Sequence, residues 1–355
     1  MIHYHKTKSW VINLIIRDVR PEDNEKLLEI EKSSAQEGKI WLTSYRTDFF
    51  EKSRYFREGF FFVAENEGDG EIIGCAGAGF AYYSLKGEKV KGAYLYGLRT
   101  NPKFRLKVAF WLKALVKRMT DVLQDSDGVF AFSSVKIDNG RSAKITRHLG
   151  FFPERVFNIY AVPVIRNPRV KGTLVDYSPS IDELSTIFES ASLKGDLVPL
   201  DLSETFFPKL LEQRRIRLMS FGSARAVMWD TTGQTDFSIS KLNGGLKPLH
   251  KVLRGVSITI PAIRVPRIGQ PIKSWQVIEL SYDDKKDGEK LVRALHNAAW
   301  RENVHLLTFG EDSEEKRVRS LLGVLTFKLP FQIMTINREN KPLGLRTIPI
   351  WPPTL

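Results

Sequence analysis

The sequence predicts an α/β protein, α+β in its layout, built as two tandem copies of one strand-rich fold. Three observations carry this. At roughly 100–200 residues per domain, a chain of 355 residues suggests two domains. Short apolar runs alternate with helix-period segments through the first half. The second half then repeats much of the same order of elements.

In the first half, VINLIIRDV (11–19) reads as a buried strand. PEDNEKLLEIEKSS follows with Leu27, Leu28 and Ile30 at helical spacing and Pro21 near the start. TDFFEKSRYFRE suggests a second short helix. GFFFVAEN (59–66), the turn EGDG and EIIGCAGAGFAYYS (71–84) read as a hairpin. GAYLYGLRT (92–100) is a further strand, and a basic helix follows from about 104 to 124. VFAFSSV (129–135) is a buried strand, NGRSAKITRHLG (139–150) a short helix stopped by glycine, and FFPERVFNIYAVPV (151–164) a last strand. GCAGAGF (74–80) lies inside a hairpin strand with no helix after it, so tight strand packing explains its glycines better than a nucleotide loop.

RNPRVKGT (166–173) reads as a linker, which places one domain at 12–165 and a second, degenerate copy at 172–355. In that copy GTLVDYS is a strand, SIDELSTIFESAS a helix capped by Ser180, and SETFFPKLLEQRR a second helix. SARAVMWD and FSISKL are strand-like. LNGGLKPLHKVLRG (242–255) reads as a basic loop. WQVIELSYDD (275–284) is a long strand, GEKLVRALHNAAWREN a helix, VHLLTFG (304–310) a strand, SEEKRVRSLL a helix and GVLTFKLPFQIMTI (323–336) the last strand.

The net charge of +13 attracts anions in general, but it is spread along the chain without a basic tail or zinc-finger spacing. Nucleic acid is therefore not expected as a partner. The single Cys75 excludes an internal disulfide and fits a reducing compartment, so the cytoplasm is the expected location. No 18-residue apolar run suggests a membrane span. His3 and His5 have no partnering ligand pattern, so no metal is expected, and no hydrolase, metalloprotease or P-loop motif occurs.

YLYGLRTNPKFR, the basic helix after it, VFAFSSVKIDN and KITRHLGFF together resemble the GNAT N-acetyltransferase superfamily. Leu98, Pro102 and Arg105 match the segment in which that family's strand runs through a proline to its phosphate turn; Asn139, Leu149, Gly150 and Phe151 match its later Asn and L-G-F. The layout of the whole chain is similar to tandem GNAT proteins of the plant hookless type, with FFP at 206–208 and a closing IPIWPP.

The resemblance implies two GNAT-like domains, each a mixed, mostly antiparallel sheet flanked by helices and splayed between its fourth and fifth strands. It implies acetyl-CoA as co-substrate and an amine acceptor, a small molecule or a protein, that attacks the thioester directly. Leu98, Arg99 and Thr100 would hold pantetheine. Arg105, Leu106, Lys107, Val108, Ala109 and Phe110 would form the pyrophosphate turn, and Asn139 would contact the cofactor. The physics is that of a helix N-terminus, whose unpaired N–H groups and partial positive charge suit a phosphate.

Two departures stand out. The family's turn glycines are replaced by Leu106, Val108 and Phe110, so the segment also reads as a plain helix start. The Tyr that many members place seven residues after the Asn is Thr146, leaving His148, Thr146 and Tyr96 as candidate catalytic groups. A non-catalytic GNAT-fold protein that binds CoA, another anion or a protein partner is the alternative. Either a monomer or a homodimer fits.

Overall fold

The computed structural model describes residues 14–33, 40–125, 127–167, 170, 172–234, 236–259 and 264–348. The first half runs β1 (Leu14–Asp18), α1 (Asn24–Ser33), β2 (Ile40–Tyr45), β3 (Glu58–Asn66), β4 (Glu71–Leu85), β5 (Glu88–Thr100), α2 (Val108–Asp125), β6 (Phe130–Lys136), α3 (Gly140–His148) and β7 (Phe152–Pro163). The second half runs β8 (Val175–Tyr177), α4 (Ile181–Ser192), β9 (Val198–Pro199), α5 (Phe206–Glu212), β10 (Ile216–Phe221), β11 (Ala224–Asp230), β12 (Asp236–Leu242), α6 (Leu246–Thr259), β13 (Pro271–Ile272), β14 (Ser274–Ser281), α7 (Lys285–Arg301), β15 (Leu306–Asp312) and β16 (Phe327–Asn337). His3, His5 and most of the closing IPIWPP lie outside the described residues.

Four expectations need correction. The basic loop at 242–255 forms most of helix α6, because its apolar residues recur at helical spacing once the two glycines are passed. SEEKRVRSLL shrinks to a 3-10 turn at Arg319–Leu321, and TDFFEKSRYFRE to one at Glu51–Tyr55. β2 and β10 were not foreseen. β2 leaves the main sheet and pairs instead with β12 of the other half, in a small sheet ordered β13–β12–β2.

Local chemistry explains the elements that position the site. Ser180 Oγ accepts from Glu183 N at 3.1 Å and caps α4, as its sequence suggests. On α2, Trp111, Leu112, Leu115, Met119 and Val122 form one buried stripe against β3 and β4. Burying each large apolar side chain contributes roughly 1.5–3 kcal/mol. The β4 glycines leave room for aromatic rings from neighbouring elements. A Cβ at Gly79 would fall 2.2 Å from the Phe56 ring, and one at Gly74 would fall 2.6 Å from Trp111.

The long sheet runs β1–β3–β4–β5–β6–β16–β7–β15–β14–β11–β10–β8. At its centre the halves exchange their last strands. β16, from the second half, pairs antiparallel with β6 of the first. β7, from the first half, pairs antiparallel with β15 of the second, and β7 and β16 pair with each other. Arg155 on β7 clamps the seam, with Nε at 2.8 Å and Nη2 at 3.0 Å from the Asp312 carboxylate on β15. Asp312 also accepts from Ile348 N at 3.1 Å, so one buried carboxylate ties β15 to β7 and to the segment after β16.

Candidate active site

The fourth and fifth strands of the expected copy are β5 and β6 here, because β2 has left the sheet. They pair in parallel over only three rungs, Gly92 with Phe130, Ala93 with Ala131 and Tyr94 with Phe132. β5 then continues to Thr100 and β6 to Lys136 with no further pairing between them. This is the expected splay. It opens at the end where both strands point and where α2 begins, the usual ligand end of a parallel pair.

A bulge sharpens the bend. Cys75 faces Arg99 and Gly77 faces Tyr96, so Gly97 and Leu98 together oppose Ala76. Gly97 sits at φ +66°, a left-handed conformation that glycine adopts without strain. Leu98 is pushed to the surface, 39% exposed. At the apex, the Tyr94 and Ser134 hydroxyls share a 2.9 Å hydrogen bond that bridges the two strands one step past the last rung.

Asn101, which the sequence reading did not single out, builds the turn into α2. Its N–H donates to Ile73 O at 2.8 Å, its Nδ2 to Ile72 O at 2.9 Å, and its Oδ1 accepts from Lys103 N at 3.1 Å. A 3-10 turn, Pro102–Lys107, then leads into α2 through a kink at Phe104. No acidic residue lies in the first turn of α2. The side chains of Arg105, Leu106, Lys107, Val108, Ala109 and Phe110 lie outside the described residues, although their backbone forms this helix start.

The other sequence candidates fall in three places. Asn139 uses its carboxamide to cap α3, accepting from Ser142 N at 3.1 Å. Thr146 donates its hydroxyl to Ser142 O within the same helix at 2.8 Å, and His148 is exposed at the helix end. Arg99 Nη2 pairs with Glu31 Oε1 at 3.1 Å and Thr100 ends β5. Tyr96 lies on the buried face of β5, where burial pushes its phenol well above the usual range. Its ring stacks on Tyr94 at 5.8 Å and on Phe56 at 5.6 Å. Its hydroxyl makes no hydrogen bond among the described residues.

The residue above this stack was not anticipated. Lys52 holds its Nζ 4.9 Å from the Tyr94 ring centre and 5.4 Å from that of Tyr96. Burial lowers its ammonium pKa to about 7, helped by Arg46 and Arg99 and opposed by Glu31. Glu31 is bound by Arg46 Nε at 2.6 Å and Nη2 at 2.7 Å. Burial pushes the Glu31 carboxyl up, but Arg46 and Arg99 outweigh it and hold it below the usual range. The only sequence signal for Lys52 was one lysine in an aromatic-flanked segment, and its burial is a tertiary effect.

Glu51, next to Lys52, points elsewhere, into a polar cavity of about 380 Å³ between the halves. Thr47, Asp48 and Glu51 line one wall; Gln213, Arg215, Gly233 and Gln234 line the other. Glu51 Oε1 accepts from Tyr55 OH at 2.7 Å and from Gln234 Nε2 at 3.0 Å. One short turn therefore has a face on the tyrosine stack and a face on the cavity.

The second half repeats the splay and fills it. β14 and β15 pair in parallel from Ser274 with Leu306 to Val277 with Phe309, then separate. Ile278 forms the matching bulge. Here the segment after β15 folds back across the opening. Glu311 accepts from Val318 N at 2.6 Å and Arg319 N at 3.2 Å, while Tyr282 OH donates to Arg317 O at 3.1 Å and Arg317 Nη2 returns a 3.0 Å bond to Tyr282 O. Leu321 and Leu322 are buried with Leu280, Tyr282 and Leu291. The start of α7 carries its own carboxylates: Asp284 caps Lys286 N, and Asp287 accepts from Ser223 N at 3.0 Å. Hydrogen bonds from Ser223 hold the Asp287 carboxyl below its usual range.

Among the described residues, no cluster of three or more His, Cys, Asp or Glu side chains is placed to hold a metal ion, and no helix is long and apolar enough to cross a membrane.

Comparison with known proteins agrees with this geometry. The profile of the acetyltransferase (GNAT) family matches residues 24–151. No curated protein matches the sequence. Saccharomyces cerevisiae N-myristoyltransferase, solved with bound myristoyl-CoA, superposes at TM-score 0.61 with 9% identity, over 95% of this chain and 84% of its own. A candidate acetyltransferase of Pyrococcus horikoshii superposes at TM-score 0.55 with 11% identity, over 99% of both chains. A GCN5-related N-acetyltransferase from Anabaena variabilis superposes at TM-score 0.50 with 10% identity, over 91% of this chain and 72% of its own. At such identities the superpositions speak for the fold alone. The whole chain thus has the tandem GNAT fold, and its segment 24–151 is similar to the acetyltransferase (GNAT) family.

Proposed function

We propose that this protein is an acyl-CoA-dependent N-acyltransferase that moves an acetyl group from acetyl-CoA to an amine by direct attack. The observation that carries it is the open splay of β5 and β6, ending at a helix start without acidic residues. The pantetheine arm inserts between the strands and takes hydrogen bonds from the β5 backbone around Leu98 to Thr100. The pyrophosphate lies at the start of α2, with Arg105 and the backbone N–H groups of 107–110 as its partners. Backbone N–H groups survive any side chain, so the turn does not need glycine to donate. The acceptor amine enters through the polar cavity, whose Asp48 and Glu51 carboxylates pair with Arg54. Positioning both reactants lowers much of the barrier. The domain boundary near 166–173 and a cytoplasmic location, suggested by the single buried Cys75, belong to the same proposal.

The test is calorimetric titration of acetyl-CoA into wild type and Arg105→Glu at two salt concentrations. Micromolar, salt-sensitive binding is expected, weakened at least tenfold in the variant. Absence of binding by folded wild type at millimolar ligand would favour the second reading, a non-catalytic GNAT-fold protein. The engagement of Asn139 as a helix cap is the observation on that side.

A further inference from the structure

We propose that Lys52 is the general base of this transfer, its Nζ taking the proton from the acceptor ammonium where β5 and β6 part. The inference rests on the acyltransferase reading above and adds the group that reading lacks. Three geometric facts place Lys52 there. Its Nζ stands over Tyr94, the last β5 residue paired with β6, and over Tyr96. The turn that carries it also carries Glu51, which lines the cavity between the halves. The residue as a whole is half-buried, although its ammonium end is held among Tyr94, Tyr96 and the nearby charges.

The nearby carboxylates are hydrogen-bond acceptors of other groups. Glu31 is held by Arg46 and Arg99, and Glu51 accepts from Tyr55 and Gln234. β5 carries no Asp or Glu beyond Glu88 at its start. The charged and titratable groups around Lys52 are Glu31 on α1, Arg46 after β2, and Tyr94, Tyr96 and Arg99 on β5. Burial and the two arginines lower the ammonium to about 7 against Glu31 and the two tyrosine faces, so the neutral form a base requires is present near pH 7.

The step balances. Neutral Lys52 takes one proton from the acceptor R–NH3+ and becomes an ammonium. The freed amine attacks the thioester carbon; the C–N bond forms and the C–S bond breaks. The second nitrogen proton passes to the departing CoA thiolate, giving amide and CoA thiol, and Lys52 returns its proton to water.

The experiment compares wild type, Lys52→Met and Lys52→Arg. Acetyl-CoA binding is measured by calorimetry. Turnover is measured as thiol release across pH 5.5–9.5, with a panel of polyamines, amino acids and peptide N-termini. Lys52→Met is expected to bind acetyl-CoA within twofold of wild type, to lose about 100-fold or more in kcat, and to lose the acidic limb of the pH profile. Lys52→Arg should not restore activity, because a guanidinium stays charged. A role confined to stacking on the tyrosines would let arginine restore it. Carbon-13 dimethyl labelling gives an acceptor-independent readout: a Lys52 resonance titrating near 7 is expected, and one titrating above about 9.5 would overturn the proposal. If wild type fails to bind acetyl-CoA, the acyltransferase reading and this proposal fall together. If it binds and turns over while Lys52→Met keeps kcat within threefold, this proposal falls alone.

Discussion

The β5–β6 and β14–β15 openings share one backbone device and differ in what occupies it. Both pair in parallel for a few rungs, both carry a bulge on the leading strand, and both lead into a helix. In the second, Arg317 to Leu322 fold across the gap and Asp284 and Asp287 sit at the helix start. In the first, no acidic residue does so. The residue two places past the last rung is Tyr96 on β5 and Glu279 on β14. Backbone geometry alone therefore does not make an acyl-CoA site. Whether the protein's own polar groups already take the exposed backbone decides it.

The largest expected effect tests whether the two copies are separable at all. Asp312→Ala removes a buried carboxylate from Arg155 and from Ile348 N, and is expected to destabilise by about 3–5 kcal/mol. Hydrogen exchange should rise on both sides of the seam, in β6 and in β14. A rise confined to the second half would show that the copies fold independently. Next, Leu321→Ala should cost about 2–4 kcal/mol and raise exchange at 278–281 and 309–312, with 95–100 unchanged. Equal changes in both openings would mean that the segment does not close the second one.

The smallest effect concerns Asp236, which joins β12 to β2 across the halves. Burial raises its carboxyl to about 6, against the opposing Gly233 N–H. The folded state then holds a proton that the unfolded chain has released between pH 4 and 6, so this group's contribution to stability falls as pH rises through that window. Asp236→Asn should raise stability at pH 7 by about 1 kcal/mol and flatten thermal midpoints between pH 4 and 6. An unchanged slope would show that Asp236 is not the titrating group.

Most of the frame was legible in the sequence because it rests on local periodicity. VFAFSSV, the α2 stripe and the Ser180 cap are examples, and the resemblance carried by YLYGLRTNPKFR placed the splay correctly. What stayed hidden depends on partners far along the chain. β2 finds its sheet partner only in β12, some 190 residues away, and its own residues carry no sheet-specific pattern. β10 follows the charged pair Arg214–Arg215 and carries Arg217 itself, which blurs its alternation. Asn139 matched a motif, yet its side chain satisfies the nearest unpaired helix N–H, a local option that a motif match does not weigh. Lys52 looks like any surface lysine until Tyr94, Tyr96, Arg46 and Arg99 are gathered around it.

The strand exchange at the centre of the sheet also sets a schedule for synthesis. β6 and β7 cannot gain the strand between them until residues 327–337 have left the ribosome. At about 5–20 residues per second, the wait after β6 is made is roughly 10–40 s. During it the first half carries three unpaired strand edges, one on β6 and both on β7, the kind that template wrong pairing. A nascent chain of this protein therefore depends on whatever shields those edges until its own last strand arrives.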